Sequence, residues 1–425
     1  MKQRISSAQA LSSVFVDFTC PRGTVIVIVL VSIKPNRKRF LLLMRIGIDG
    51  IPLATPKSGI GHYTFELARG VAQLAPDDDF ELIAPVSLEL EADGAIPSNL
   101  RAIHSPVNAL RRRWWTIGLP LYVRQTRLGL FHGTNYNVPL WQRCPTVVTI
   151  HDLSLLLHSE THREDLVRRA RKRFPTMTRI ANRIITDSES VKREIAEHLN
   201  VEASRITAVP LAARRAFHPR SPDKSSATRH KLGVEDDFIL FVGTVEPRKN
   251  LLTLVRAFDQ LISTTQVRPQ LVIAGQKGWL SEELYAFVEK STLKDRILFT
   301  NYVTDEDLSA LYSSCRVCVY PSLYEGFGLP PLEAMACGAP VITSRIPVIM
   351  ETTADAAMLI TPTDVRDLTA ALAKMFDDPN TRAHYAESGL KRSSEFTWEK
   401  TARKTLEVYR EALSDVKAES QVSIN

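Results

Sequence analysis

The chain has no hydrophobic run long enough to cross a bilayer. Its most apolar stretch, residues 25–33, is about half of the roughly 20 residues that a helical span requires. The basic run Lys34-Pro-Asn-Arg-Lys-Arg39 follows it, where a secretory leader would present small residues for cleavage. Residues 1–43 therefore read as an extension outside the fold, with a membrane-associating leader as the alternative. Cysteine is scarce too. Cys20, Cys144, Cys315, Cys318 and Cys337 are odd in number and scattered, which argues against a disulfide framework and fits a reducing, cytoplasmic compartment. Cys315 and Cys318 have metal-pair spacing, but no second pair accompanies them and Cys318 lies in the apolar run Val317-Cys-Val-Tyr320. Both are expected in a core. Internal repeats and low-complexity tracts are absent as well.

What remains is an ordinary soluble composition, 44% hydrophobic and 24% charged, over 425 residues. That length suggests two domains. The net charge of +7 permits an anionic partner: a nucleoside diphosphate, an acidic membrane surface or nucleic acid.

From Met44 onward, short apolar strands alternate with helical patterns. Strands are expected at 45–49, 80–85, 129–132, 146–150 and 183–186, with helices at 61–74 and 188–198 among them. A second series follows: strands at 238–243, 270–274, 296–299, 316–320 and 340–343, separated by helices at 250–263, 281–291, 305–313 and 331–337. The segment 218–236, rich in Pro, Ser, Lys and Asp, reads as the linker between them. Alternation of this kind predicts an α/β protein of two doubly wound, Rossmann-like domains facing a central cleft. The boundaries are 44–220, 221–396, and a C-terminal helix in 397–425 that returns to the first domain. In open parallel sheets, ligands bind beyond the carboxyl ends of the strands.

The chemistry-bearing segments fall at such ends. Strand 316–320 runs into Glu325-Gly-Phe-Gly-Leu-Pro-Pro-Leu-Glu333. Gly326 and Gly328 let backbone approach a ligand closely, a helix N-terminus offers free N–H groups, and a carboxylate on each side can accept hydroxyl hydrogen bonds. Strand 238–243 ends at Gly243-Thr244, followed by Arg248-Lys249 just before a helix that Asn250 is placed to cap. Two cations at a sheet's carboxyl edge suit a diphosphate. In the first half, Gly59-Ile60-Gly61 precedes a helix. It is not a Walker A loop, since no Lys-Ser/Thr follows the second Gly. Strand 146–150 delivers His151, and His132 is similarly placed with a weaker case.

Together these segments resemble the family 4 glycosyltransferases, which have the GT-B fold, over roughly residues 44–412. Thr149-Ile-His-Asp-Leu-Ser154 and Ile185-Thr-Asp-Ser-Glu-Ser190 add to the likeness. Within the family they are similar to the mannosyltransferase B-like branch of lipopolysaccharide O-antigen synthesis. The resemblance implies a retaining, metal-independent hexosyl transfer without cofactor, from a nucleotide-sugar such as GDP-mannose. It implies that Glu333 holds the ribose hydroxyls and that Glu325 faces the hexose, with Gly326 in the donor loop and the backbone N–H groups of Phe327, Gly328 and Leu329 near the sugar and diphosphate. Arg248 and Lys249 would neutralise the leaving diphosphate, with Gly243 and Thr244 beside them. Val303 would lie against the base, and His151 at the sugar's 6-position. Gly59, Ile60 and Gly61 would border the diphosphate and the acceptor. The chain departs from many family members at Gly243-Thr244, where those carry Gly-Arg; Arg248 is then the substitute charge. The Asp-x-Asp in Asp77-Asp-Asp79 is the metal signature of a different glycosyltransferase fold and reads here as a turn.

The implied acceptor is a saccharide or a polyprenyl-diphosphate-linked saccharide. Arg111-Arg-Arg-Trp-Trp115 and the Arg/Lys-dense 163–183 point to peripheral attachment on the inner face of an anionic membrane. No nucleic-acid partner is expected, because a nucleic-acid binder would not explain the acidic, Gly-Pro-rich loop. A UDP-sugar donor and a non-catalytic sugar-nucleotide sensor are the rival functions.

Overall fold

The structure is a computed structural model that describes residues 44–54, 59–88, 90, 96–104 and 113–422, with side chains through residue 415. The expected extension, 1–43, and residues 55–58 and 111–112 lie outside it.

Two parallel sheets organise the chain. The first holds β1 (Arg45–Asp49), β2 (Asp79–Ala84), β3 (Leu100–His104), β4 (Leu130–Gly133), β5 (Thr146–Thr149), β6 (Arg183–Thr186) and β7 (Ile206–Ala208). Their spatial order is β3-β2-β1-β4-β5-β6-β7. The second holds β8 (Phe238–Val242), β9 (Gln270–Ala274), β10 (Ile297–Asn301), β11 (Val317–Tyr320), β12 (Val341–Ser344) and β13 (Met358–Ile360), ordered β10-β9-β8-β11-β12-β13. Every pairing is parallel. Strand order reverses between β1 and β4 and between β8 and β11, so each sheet has its ligand crevice at the carboxyl ends of those pairs.

β8 and β9 are buried along their whole length and, but for Gln270, apolar, as strands covered on both faces must be. The edge strands β3, β7 and β13 were not expected from the sequence. They are short or only partly buried, so their patterns are weak.

The segment read as a linker, 218–236, is half helical. Ser221 accepts from the Lys224 N–H, Pro222 opens helix Pro222–Leu232, and Gly233 closes it with φ +70°. Lys224 and Lys231 tie it to Glu306 and Asp307.

The C-terminal helix Trp398–Val422 packs on helix Gly59–Leu74 of the first half. Trp398, Ala402, Leu406 and Tyr409 share one core with Ile46, Ile48 and Leu67. The donor-loop residues Phe327 and Leu332 enter that same core. Cys315, Cys318 and Cys337 are free thiols buried in the second half.

Candidate active site

Helix Leu329–Ala336 starts two residues earlier than its sequence pattern suggests. Gly328 precedes it at φ +94°, a left-handed conformation that a side chain would strain. Pro330 and Pro331 occupy the first turn and bring no N–H. The backbone donors left for a ligand at this terminus are therefore those of Leu329 and the residues just before it.

Glu325, in the loop ahead of the helix, is buried against both expected cations. Lys249 Nζ donates to Glu325 Oε1 at 2.7 Å and to the Tyr320 hydroxyl at 2.6 Å. An Arg248 terminal nitrogen lies 3.3 Å from Glu325 Oε2. Arg248 also donates to Glu246 Oε1 (2.7 Å) and to the Tyr324 carbonyl (2.8 Å). Burial pushes the Glu325 carboxyl up, but Lys249 and then Arg248 outweigh it and hold it down at about 2. Burial and neighbouring Arg248 push Lys249 below its ordinary value despite Glu325. The clamp is thus two cations balanced by two carboxylates, Glu246 and Glu325. An anion reaching this site would have to compete with Glu325 for them.

Asn250 does not cap the helix Leu251–Thr264, contrary to expectation. It adopts φ +57°, and its Nδ2 donates to the Pro321 and Pro362 carbonyls at 3.0 and 2.6 Å. The side chain ties the turn bearing Arg248 and Lys249 to the loop after β11. Its Oδ1 stays at the helix start but accepts from the Thr253 hydroxyl (2.7 Å) instead of a backbone N–H.

The first half meets this loop at Gly326. Ser188 Oγ donates to the Gly326 carbonyl at 3.0 Å. A Cβ built on Gly326 would collide with the His151 carbonyl oxygen. Glycine is required here by close approach rather than by a turn. The Tyr324 hydroxyl accepts from the Leu153 N–H (3.0 Å) and donates to Glu194 Oε2 (2.5 Å), a second bridge between the halves.

Both ring nitrogens of His151 are engaged: Nδ1 with Asp187 Oδ2 at 2.8 Å, Nε2 with the Thr134 carbonyl at 2.9 Å. A carbonyl only accepts, so Nε2 carries hydrogen. Burial lowers the imidazole's pKa, but Asp187 more than offsets this and raises it. His132 is a core residue. Its nitrogens pair with the Tyr409 hydroxyl (2.8 Å) and Thr149 Oγ1 (2.7 Å), and burial pushes its pKa down to about 3.

Glu333 is buried in the helix Leu329–Ala336 that follows the loop. Its Oε1 accepts from Arg214 Nε at 2.9 Å, and Arg214 Nη1 donates to both Asp305 oxygens at 2.6 and 2.7 Å. Neither Arg214 nor Asp305 was foreseen. Arg214 follows β7 among ordinary Arg and Ala residues, and Asp305 reads simply as a first-turn acid of helix Asp305–Ser314. Asp187, the partner of His151, was likewise missed.

Val303 is buried two residues before Asp305, while Tyr302 is 66% exposed. Gly243 and the exposed Thr244 follow β8 and lead to the Pro247–Lys249 turn. Gly59 and Ile60 open the first-half helix near its surface, and Gly61 is buried in it. Asp77–Asp79 lies at the opposite, amino edge of the first sheet, where Asp78 accepts from the Met44 N–H. An open groove of about 490 Å³ lined by Asp237, Arg316 and Arg382 also sits at an amino edge, that of β8 and β11, away from this chemistry. Among the described residues no helix is long and apolar enough to cross a membrane.

Two parallel-sheet domains, with paired cations and a glycine-rich helix start at the second crevice, define a GT-B glycosyltransferase. Residues 57–213 match the family model "Glycosyltransferase Family 4" and residues 224–392 match "Glycosyl transferases group 1". The chain is 32% identical to O-antigen chain mannosyltransferase B of Escherichia coli over 378 residues, 84% of this chain and 97% of that protein. The chain belongs to the family 4 glycosyltransferases. It is also 32% identical over 277 residues to the serotype-specific mannosyltransferase WbdA of Escherichia coli, covering 64% of this chain and 33% of that longer protein. In fold it is similar to sucrose-phosphate synthase from Thermosynechococcus elongatus (TM-score 0.70, 21% identity, 88% of this chain and 100% of that one). It is also similar to Anabaena HepE in complex with UDP and glucose (TM-score 0.66, 20% identity, 87% and 100%).

Proposed function

We propose that the enzyme transfers a hexose, mannose first among candidates, from GDP-mannose with retention of anomeric configuration. The acceptor in this proposal is a saccharide or lipid-linked saccharide of cell-surface polysaccharide synthesis. The observation that carries the donor half is the Lys249–Glu325–Arg248 cluster beside the helix start at Gly328. The names of the mannosyltransferase relatives support the sugar.

In this scheme the departing diphosphate develops negative charge against Arg248, Lys249 and the Leu329 N–H, groups already gathered at the site before the donor arrives. Glu325, released from the cations, receives hydroxyls of the hexose. Attack comes from the face the leaving group departs, and a leaving phosphate oxygen takes the acceptor's proton; neither metal nor cofactor enters. Glu333 takes the ribose hydroxyls and Val303 flanks the base. For His151 to reach the sugar's 6-hydroxyl, Nε2 exchanges the Thr134 carbonyl for it. Gly59, Ile60 and Gly61 border the acceptor.

Attachment to the inner membrane surface is part of the proposal. Helix Glu164–Ile180 exposes Arg168, Arg169, Arg171, Lys172 and Arg173, and Trp141 is 68% exposed elsewhere in the first half. About 1 kcal/mol per basic residue is available from an anionic leaflet. Flotation with anionic vesicles tests it; no binding at low salt removes it.

Release of nucleoside diphosphate from GDP- and UDP-sugars, with Glu325→Ala as control and product anomers read by NMR, tests the activity. Turnover of UDP-sugars alone would reassign the donor. Inverted product would overturn retention, and no turnover with any donor would favour a sugar-nucleotide sensor.

A further inference from the structure

Arg214 lies in the segment joining the two halves, after β7. Its guanidinium meets three elements at once. Nε donates to Glu333 Oε1 at 2.9 Å. Nη1 reaches both oxygens of Asp305 and sits 3.0 Å from His62 Nε2 of helix Gly59–Leu74. The group also stacks over the Phe217 ring, 4.4 Å from its centroid. Glu333 Oε2 has no hydrogen bond among the described residues.

We propose that Arg214 is the positioning residue for nucleotide recognition: pinned by Asp305, it holds one oxygen of Glu333 and keeps that side chain a carboxylate, whose other oxygen accepts the ribose hydroxyls of the donor. This rests on the reading of Glu333 as the ribose-binding group.

The physical case is electrostatic. Glu333 is 5% exposed, and a buried carboxylate without a cation takes up a proton rather than stay charged. The charged and titratable groups around it are few. Arg214 comes from the linking segment and Asp305 and Tyr312 from the neighbouring helix. Cys337 follows its own helix, and His62 stands behind Arg214. Among the described residues Arg214 is the one cation in contact with it, whereas Asp305 repels it. Burial already raises the Glu333 carboxyl with Arg214 in place. Without Arg214 the balance shifts further toward the neutral acid. A protonated carboxyl donates one hydrogen bond and loses the ability to accept from two hydroxyls on equal terms.

The test compares GDP and UDP with their 2′,3′-dideoxy forms, titrated calorimetrically into the full-length protein at pH 6.5 and pH 9. Wild type is expected to bind the ribose form about tenfold more tightly at both pH values, the worth of a hydrogen bond to a charged group. Arg214→Gln loses the preference at pH 6.5, and the loss is smaller at pH 9, where a carboxyl deprived of its cation is more ionised. Arg214→Lys keeps it at both. Glu333→Ala abolishes it throughout. Arg214→Met carries the same expectation should the Gln variant not fold. Equal preference in Arg214→Gln and wild type at both pH values overturns the proposal. Wild type without any preference, or Glu333→Ala retaining it, sinks the ribose reading instead, as does binding of neither nucleotide.

Discussion

Replacing Gly326 by alanine adds one methyl at the point where the two halves touch. The new Cβ would lie 2.9 Å from the His151 carbonyl carbon, 3.1 Å from Asp152 Cβ, and in collision with the His151 oxygen. These neighbours are backbone and a short side chain, so neither rotates away. Relief requires roughly 1 Å of displacement, either of the 325–328 loop or of the whole first-half edge. Overpacking of this kind costs about 1–3 kcal/mol of stability. The loop is also pinned by Ser188 at the Gly326 carbonyl and by Thr352 at the Phe327 carbonyl (2.5 Å). Displacement therefore carries Glu325 and the Gly328–Leu329 N–H groups with it. A misplacement of about 1 Å at reacting groups is worth on the order of 100-fold in rate. Gly326→Ala should thus lower kcat/KM for nucleoside diphosphate release about 100-fold, while Tm falls by only a few degrees. Activity within threefold of wild type would refute the claim that close approach at Gly326 positions the donor loop.

Three further outcomes are expected. In Glu325→Gln, Lys249 and Arg248 lose a carboxylate, so inorganic pyrophosphate should raise Tm more in the variant than in wild type, although catalysis falls; an equal rise would show that Glu325 does not compete for those cations. His132 is held neutral in the fold at about 3, against an ordinary value near 6.5, so its contribution is intact above pH 6.5 and is lost progressively as pH falls toward 3, with a slope near 1.4 kcal/mol per pH unit. Urea unfolding of His132→Gln between pH 6.5 and 4.5 should show a slope shallower by about one proton. Tyr409→Phe leaves His132 Nδ1 without its partner in the core and should cost about 1–3 kcal/mol in the same assay; no loss would mean that the His132–Tyr409 hydrogen bond adds nothing net to the docking of the C-terminal helix, which Arg183–Asp415 and Trp398–Ala213 also hold.

How legible the molecule was depends on the distance over which each feature is encoded. β8 and β11 read clearly because both faces are covered and every residue is apolar. The edges β3, β7 and β13 did not, since they are short or only partly buried. Helix Pro222–Leu232 had its signals in plain view, Ser-Pro at the start and Gly at the end. Its polar composition masked them, because it packs through few apolar side chains. Asn250 has the residue type of a cap and a position to match, yet two carbonyls distant in sequence claim its amide.

The Glu325-to-Glu333 run, Arg248-Lys249 and the strand–helix alternation carried the fold and the class of enzyme, because glycine, proline and charge at strand ends are local in their physics. Folding determined the partners. That Glu325 contacts both cations, that Asp187 rather than solvent faces His151, and that Arg214 and Asp305 flank Glu333 all follow from side chains 36 to 119 positions apart meeting at two sheet edges. Such meetings depend on burial and on the approach of one half to the other, which no spacing along the chain encodes.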